Sequence, residues 1–106
     1  MELHGVHHVT AITAVNDLSA VGALSAAADA GLRVPRDLTV TGYDDTFLAA
    51  VRPVSLTTVN PDSVGMGEQA ARCVLRRIDA PEREFEEHLL TPRLITRRSS
   101  NAPGQG

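Results

Sequence analysis

Two pairs of polar residues, Asn16-Asp17 and Asp44-Asp45, stand where this sequence could do chemistry. Each pair follows a short run of strand-forming residues. Carboxylates accept charge-assisted hydrogen bonds, and an Asn side chain both donates and accepts, so together these groups suit a polyhydroxylated or amine-bearing small molecule. Acid–base catalysis would need a histidine, a nucleophile or a metal beside the carboxylates, and no such partner lies near them in the sequence. We therefore expect a binding protein and no enzyme activity.

The elements around these pairs predict a strand–helix–strand unit. Residues 9–15 are apolar and β-branched nearly throughout, which is typical of a strand buried on both faces of a parallel sheet. Residues 18–30 are rich in alanine and end before Gly31, which predicts a helix with a glycine cap. Residues 38–43 form the second strand. The fold class is therefore α/β, with a Rossmann-like parallel βαβ core.

Parallel strands end at the same edge of a sheet, so both polar pairs are expected at one edge. Ligands of open α/β sheets bind in the crevice there. A purely structural role is the alternative: Asn16 or Asp17 caps the helix, and Asp44-Asp45 shape a turn. The residues alone leave both interpretations open.

The second half of the chain is predicted to hold one long helix. Residues 45–55 favour one or two helical turns, and 55–59 a short extended segment. Asn60-Pro61-Asp62 predicts a helix start with an Asn cap and Pro in the first position, and the helix itself is expected over 62–78. Two extended segments follow, at 88–91 and 93–97, and residues 99–106 are expected to form a disordered tail.

Composition narrows the classes of function. A chain of 106 residues allows one domain, and 3% aromatic residues with no Trp require an aliphatic core. The net charge of −3 gives no general attraction to nucleic acid. No apolar run approaches the length of a membrane span and no signal peptide follows Met1, so we expect a cytoplasmic protein. The single cysteine, Cys73, is predicted to be a small buried hydrophobe.

The residues from about 10 to 98 resemble the C-terminal part of the effector-binding domain of LacI/GalR-family transcriptional regulators. The matching motifs are the ND at 16–17, then AADAGLRVPRDL, TVTGYDD, PVSLTTVNPDS and LTPRLITRRSS, all collinear. The resemblance implies a periplasmic-binding-protein-like fold, in which two Rossmann-like lobes enclose the ligand. This chain would carry a partial lobe of that fold, and no cofactor.

The resemblance also implies roles for the polar pairs. Asn16 and Asp44 match positions that contact the effector in the family. Asp17 and Asp45 are implied to support them through capping and turn hydrogen bonds, and all four are candidate effector-site residues. The effector of the parent protein would be a small molecule such as a sugar or a nucleobase.

Dimerisation is a second implication. The family pairs through the face of the helix after ND and the segment after GYDD, which makes Val21, Leu24, Leu48 and Val51 candidate dimer contacts. Ordinary packing within the chain is the alternative for these four.

The domain organisation implied by the resemblance is incomplete. Residues 1–98 would form a single partial effector-binding domain without a DNA-binding domain, so no DNA binding by this fragment is expected. Residues 59–90 would normally cross to a second lobe. The apolar stripe of the helix 62–78 would then lack a partner, and we predict that a rearranged fold or a second copy covers it. Exchange of the C-terminal segment is one form of the homodimer that this implies.

Residues 1–13 are similar to the first strand of vicinal-oxygen-chelate proteins, the glyoxalase and dioxygenase superfamily. That resemblance would make His7 a metal ligand. A metal-binding enzyme fragment of this kind is therefore an alternative. A structural or designed assembly domain without a ligand is another.

Overall fold

The computed structural model describes residues 8–100. Its elements alternate between strand and helix, as predicted for an α/β chain. In order along these residues they are β1 (Ala11–Thr13), α1 (Asp17–Asp29), β2 (Thr39–Thr41), α2 (Phe47–Ala50), β3 (Thr58–Asn60), α3 (Ser63–Asp79) and β4 (Arg93–Ile95). The strands are shorter than the apolar runs at 9–15 and 38–43, because the ladder between them is only three residues long.

The first two strands pair in parallel, with Ile12 opposite Val40. Beyond the ladder, the amide of Asp17 donates to the carbonyl of Tyr43 at 2.9 Å. The turn that follows β1 therefore touches the turn that follows β2. The predicted βαβ unit and the shared edge of its two polar turns are both confirmed.

Helix α1 crosses from β1 to β2 and packs through small side chains. Ala20 and Ala27 are fully buried, so the helix backbone approaches the sheet closely. The helix ends as predicted at Gly31, whose φ of 73° lies in the left-handed region that glycine adopts without strain. The amide of Leu32 donates to the carbonyl of Ala27 at 2.9 Å, which completes a Schellman motif.

The core lies between α1, α2 and the sheet, and it is aliphatic as the composition requires. Leu38 and Leu56 are its largest fully buried hydrophobic side chains, with Val40 and Ala49 beside them. Burial of a leucine contributes about 1.5–3 kcal/mol, so these few side chains supply much of the stabilisation of this lobe.

Strands β3 and β4 are antiparallel and continue the β2 edge. The amide of Gly42 donates to the carbonyl of Thr57 at 2.9 Å. The chain returns through Ser99, which is buried: its hydroxyl donates to the carbonyl of Val40 and accepts from the amide of Thr57 at 2.8 Å. The prediction that the tail begins at 99 is wrong, since Ser99 and Ser100 bond to the sheet. Residues 101–106 lie outside the described residues.

The start of α3 differs from the prediction. Asp62, not Asn60, is the N-cap, and its carboxylate accepts from the amide of Gly65 at 3.2 Å. The side chain of Asn60 instead accepts from the amide of Asp62 at 2.8 Å, which forms an Asx turn around Pro61. Two neighbouring residues could have capped the helix, and Asp62, the second of them, does so.

Helix α3 has no buried residue. Its apolar side chains are 52–76% exposed, and within residues 8–100 nothing covers them; they are Val64, Met66, Val74, Leu75 and Ile78. The rearranged fold that was predicted to cover this stripe is therefore wrong for the single chain. The predicted extended segment 88–91 likewise forms no ladder, because pairing is confined to Arg93–Ile95. No helix in the described part of the chain is long and apolar enough to cross a membrane.

Candidate functional site

The GYDD turn at 42–45 has an unusual backbone. Asp44 has a φ of 106° and Asp45 a φ of 53°, so two consecutive non-glycine residues have positive φ. Such residues cost on the order of 1–3 kcal/mol each and persist where neighbouring structure holds them. Here the amide of Asp44 donates to the carbonyl of Val59 at 2.9 Å, which ties the turn to β3.

Gly42 is required because the backbone passes too close to its neighbours for a side chain. A Cβ atom at this position would lie 2.5 Å from the Asp17 carboxylate and 2.8 Å from Leu56 Cδ2. The glycine of GYDD therefore brings the second turn against the first.

Asp17 holds the two turns together from the interior. It is fully buried, and Thr46 donates to Asp17 Oδ2 from its amide at 2.6 Å and its hydroxyl at 2.9 Å. The hydroxyl of Thr58 donates to Oδ1 at 2.6 Å. Every one of these contacts lies within the chain, so Asp17 holds the two turns in place. Its role in the effector site, which the resemblance implies to be a supporting one, stays a prediction.

Asp45 is also engaged within the chain. Its carboxylate accepts from Arg97 at 3.0 Å and from the side-chain amide of Asn60 at 3.1 Å. The Asp45 side chain is 16% exposed and that of Arg97 is 21% exposed, so this ion pair is partly shielded from water. With the bond from Asn60, it joins the GYDD turn to β3 and to the segment that follows β4.

Asn16 caps α1, which is the role that the structural alternative gave to either Asn16 or Asp17. Its Oδ1 accepts from the amide of Ser19 at 2.8 Å. This bond uses only the oxygen of the half-exposed side chain. The cap therefore orients the side chain and leaves its Nδ2 group to donate elsewhere. Asn16 can therefore serve both the helix and a ligand.

Asp44 differs from the other three. It is exposed, and among residues 8–100 its carboxylate has no hydrogen-bond or ion-pair partner. It opens onto a cleft of about 430 Å³, within the range of small-molecule sites. The cleft is lined by Asp44, Asp45, Asn60, Asp62, Ser63, Val64, Thr91 and Arg93, without Asn16.

The sequence indicated only two of the eight residues that line this cleft, Asp44 and Asp45. Asn60 and Asp62 were assigned only to the start of a helix, although the same polar turn faces the GYDD turn. Arg93 lies in the cleft because it pairs with Asn60 across the antiparallel ladder. No short-range pattern in the sequence signals that pairing.

The four predicted dimer contacts fall into two groups. Leu24 packs against the core of its own chain, as the alternative interpretation held. Val21 and Leu48 are half-buried, and Val51 is 40% exposed. Two larger apolar side chains nearby, Leu18 at 70% and Phe47 at 80% exposed, were not predicted as contacts. His7, the alternative metal ligand, lies outside the described residues.

A parallel α/β lobe with a polar cleft at its strand ends is typical of domains that resemble periplasmic binding proteins. The chain belongs to this family: residues 2–100 match the model of the periplasmic binding protein-like domain. The predicted fold class is confirmed.

Relatives specify the branch of the family. The HTH-type transcriptional regulator MalR of Streptomyces coelicolor is 38% identical over 97 residues, which are 91% of this chain and 28% of MalR. A LacI-family regulatory protein from Corynebacterium glutamicum has a structure similar to this one, with a TM-score of 0.79 and 42% identity, over 93% of this chain and 38% of that chain. A LacI-family regulator from Enterococcus faecium, solved with bound ribose, has a TM-score of 0.77 and 34% identity, over 86% of this chain and 34% of that one.

The predicted resemblance to the effector-binding region of LacI/GalR regulators is therefore confirmed. The chain spans about 28% of the length of MalR and so corresponds to part of that region. The relatives are transcriptional regulators, which are not enzymes. Neither the relatives nor the fold favour a vicinal-oxygen-chelate enzyme.

Proposed function

We propose that this chain forms one wall of the effector cleft in a LacI-type transcriptional regulator. In the whole protein, a small molecule bound between two lobes would shift a dimer between DNA-binding and non-binding states. The observation that carries the proposal is the exposed carboxylate of Asp44, which has no ion-pair partner among residues 8–100 and is held in a positive-φ turn at the ends of parallel strands. Such a protein works in the cytoplasm.

The effector class follows from the groups around the cleft. Asp44 accepts hydrogen bonds, while Arg93, Asn60, Ser63 and Thr91 can donate them. Alternating donors and acceptors suit a ligand with several hydroxyl groups, so a sugar is the first candidate and a nucleobase the second. The ribose bound by the Enterococcus faecium relative supports a sugar.

Within this site the predicted residues have different roles. Asp44 contacts the effector directly, and Asn16 offers its free amide at the same sheet edge. Asp45 positions the turn through Arg97, and Asp17 positions it through Thr46. The segment 59–90 would cross to the second lobe, which would close over the ligand.

Thermal unfolding in the presence of pentoses, hexoses, disaccharides and nucleobases tests the proposal. A ligand that binds only the native state raises Tm, by an amount that grows with its concentration above Kd. We expect one sugar to raise Tm, and Asp44→Asn to abolish the rise. Glu82→Gln, an equal loss of charge at an exposed position outside the cleft, should keep it.

Two results would contradict this proposal. A ligand-induced rise that survives Asp44→Asn would place the ligand elsewhere. No rise with any compound at millimolar concentration, in a chain that unfolds cooperatively, would favour an assembly domain without a ligand.

A further inference from the structure

Three different metal-binding side chains meet beside α3, and none of them lines the effector cleft. The ligand atoms of Cys73, Glu86 and His88 all lie within 4.8 Å of one another. Cys73 is half-exposed, so the prediction of a buried hydrophobe is wrong for this residue. The segment after α3 returns along the helix and places the carboxylate and the imidazole beside the thiol.

The donor set matches a borderline-soft divalent cation. A thiolate, an imidazole and a carboxylate are the ligand types that Zn²⁺ takes in proteins, and three protein ligands leave a fourth position open to water. The three side chains also share a cavity of about 220 Å³, with Met66 and Gln69 on its wall. The space is therefore sufficient for an ion and a water molecule.

The geometry needs only a small adjustment. A tetrahedral zinc ion holds sulfur and nitrogen ligands roughly 3.5 Å apart. The observed limit of 4.8 Å then requires a closure of about 1 Å. His88 is exposed, so rotation of its side chain can supply this movement without disturbing packing.

A cation already occupies part of this position. The Arg76 guanidinium donates to both carboxylate oxygens of Glu86, at 3.2 and 3.3 Å, and approaches the sulfur of Cys73 at 3.5 Å. The site thus attracts positive charge. Arg76 is the competitor that a metal must displace from both Glu86 and Cys73, and the Arg83 guanidinium also donates to Glu86, at 3.3 Å. The Arg76 side chain is 32% exposed, which leaves it room to turn into solvent.

We propose that Cys73, Glu86 and His88 form a binding site for a divalent transition metal of the zinc type, and that the ion replaces the Arg76 guanidinium. Binding would fix the segment around Glu86 and His88 onto α3. The proposal is independent of the effector cleft.

Titration of the whole reduced chain with Zn²⁺, in competition with a chromophoric chelator, tests the site. We expect one equivalent to bind. Cys73→Ala and His88→Ala should each weaken binding at least tenfold, because each removes a ligand. The N-terminal histidines provide the matched control: a combined His7→Ala, His8→Ala variant should bind as the parent does.

Substitution of Co²⁺ adds a readout of the sulfur itself. A thiolate-to-cobalt charge-transfer band should appear in the parent and disappear in Cys73→Ala. Arg76→Gln should bind Zn²⁺ more tightly than the parent, since the competing charge is gone. Weaker or unchanged binding in Arg76→Gln would contradict the exchange.

Other outcomes would overturn the site altogether. These are no Zn²⁺ bound at micromolar concentration, or binding that survives Cys73→Ala and His88→Ala but is lost with the N-terminal histidines. Circular dichroism of each variant separates loss of a ligand from loss of fold.

Discussion

At the scale of single residues, the site depends on one close approach. Asp17 sits fully buried at the start of α1, with Gly42 against it and the hydroxyl of Thr58 on its carboxylate. A buried carboxylate is tolerated only when hydrogen bonds replace its hydration, and here three donors do so. The arrangement fixes the GYDD turn and leaves Asp44 as the group that faces solvent.

Gly42→Ala should destabilise the chain by about 1–3 kcal/mol, because the added methyl group would overlap the Asp17 carboxylate and Leu56. Urea unfolding followed by circular dichroism measures the change. Gly22→Ala is the matched control: it lies within α1 with no heavy atom near its Cβ position, and should stabilise by about 0.5–1 kcal/mol. Equal effects of the two substitutions would show that the close approach is absent.

At the scale of elements, the connection from α1 to β2 is held by an ion pair. The Arg33 side chain donates to both oxygens of Asp37, at 2.9 and 3.0 Å, and the Arg33 amide adds a third bond at 2.8 Å. These bonds close the loop immediately before Leu38, the buried residue that precedes β2. They therefore set where β2 enters the core.

The hydrogen bond from the Arg33 side chain, with the bond from its amide, lowers the pKa of Asp37 from 3.8 to about 2. Because the folded-state pKa is depressed, the stabilisation is present above about pH 4 and is lost as the pH falls towards 2. Carboxyl NMR titration should place the Asp37 midpoint near 2 in the parent and higher in Arg33→Gln, which loses the side-chain bonds and keeps the bond from the amide. A midpoint that does not move in Arg33→Gln would mean that the side-chain bonds do not form in solution.

At the scale of the whole molecule, one part is packed and another is unpartnered. The βαβ unit, β3 and the return through Ser99 form a closed core, whereas α3 leaves its apolar side chains exposed. Exposed apolar surface of this extent is typical of an interface. In the proposed sensor domain, the second lobe would cover it.

The isolated chain should therefore self-associate, with α3 covered by a second copy. Size-exclusion chromatography with light scattering should give a dimer or larger species at micromolar concentration. Leu75→Glu should shift it towards monomer, because it places a charge in the apolar stripe. Arg72→Gln, on the polar side of the same helix, should not. A stable monomer at micromolar concentration would refute this prediction.

The sequence by itself determined the elements whose signals are local. A cap at Asn16-Asp17, the Schellman ending at Gly31 and the apolar strands all appear, because each depends on residues within one or two turns. Where two local signals competed, as at Asn60 and Asp62, the prediction chose the wrong cap. The collinear motifs also indicated the family, while the effector contact that they imply for Asp44 stays a prediction.

Only the tertiary structure decided what each polar side chain does. Asp17 meets Thr46 from 29 residues away and Thr58 from 41, and Ser99 reaches Val40 from 59. The meeting of Arg93 with Asn60, and of Cys73 with His88, depends likewise on where the chain returns. Hydrophobic periodicity and capping specify how a segment folds. They carry no information about which distant segment donates hydrogen bonds to a carboxylate. Side-chain burial, strand pairing and the exposed apolar face of α3 are therefore decided only by the packing of the whole chain.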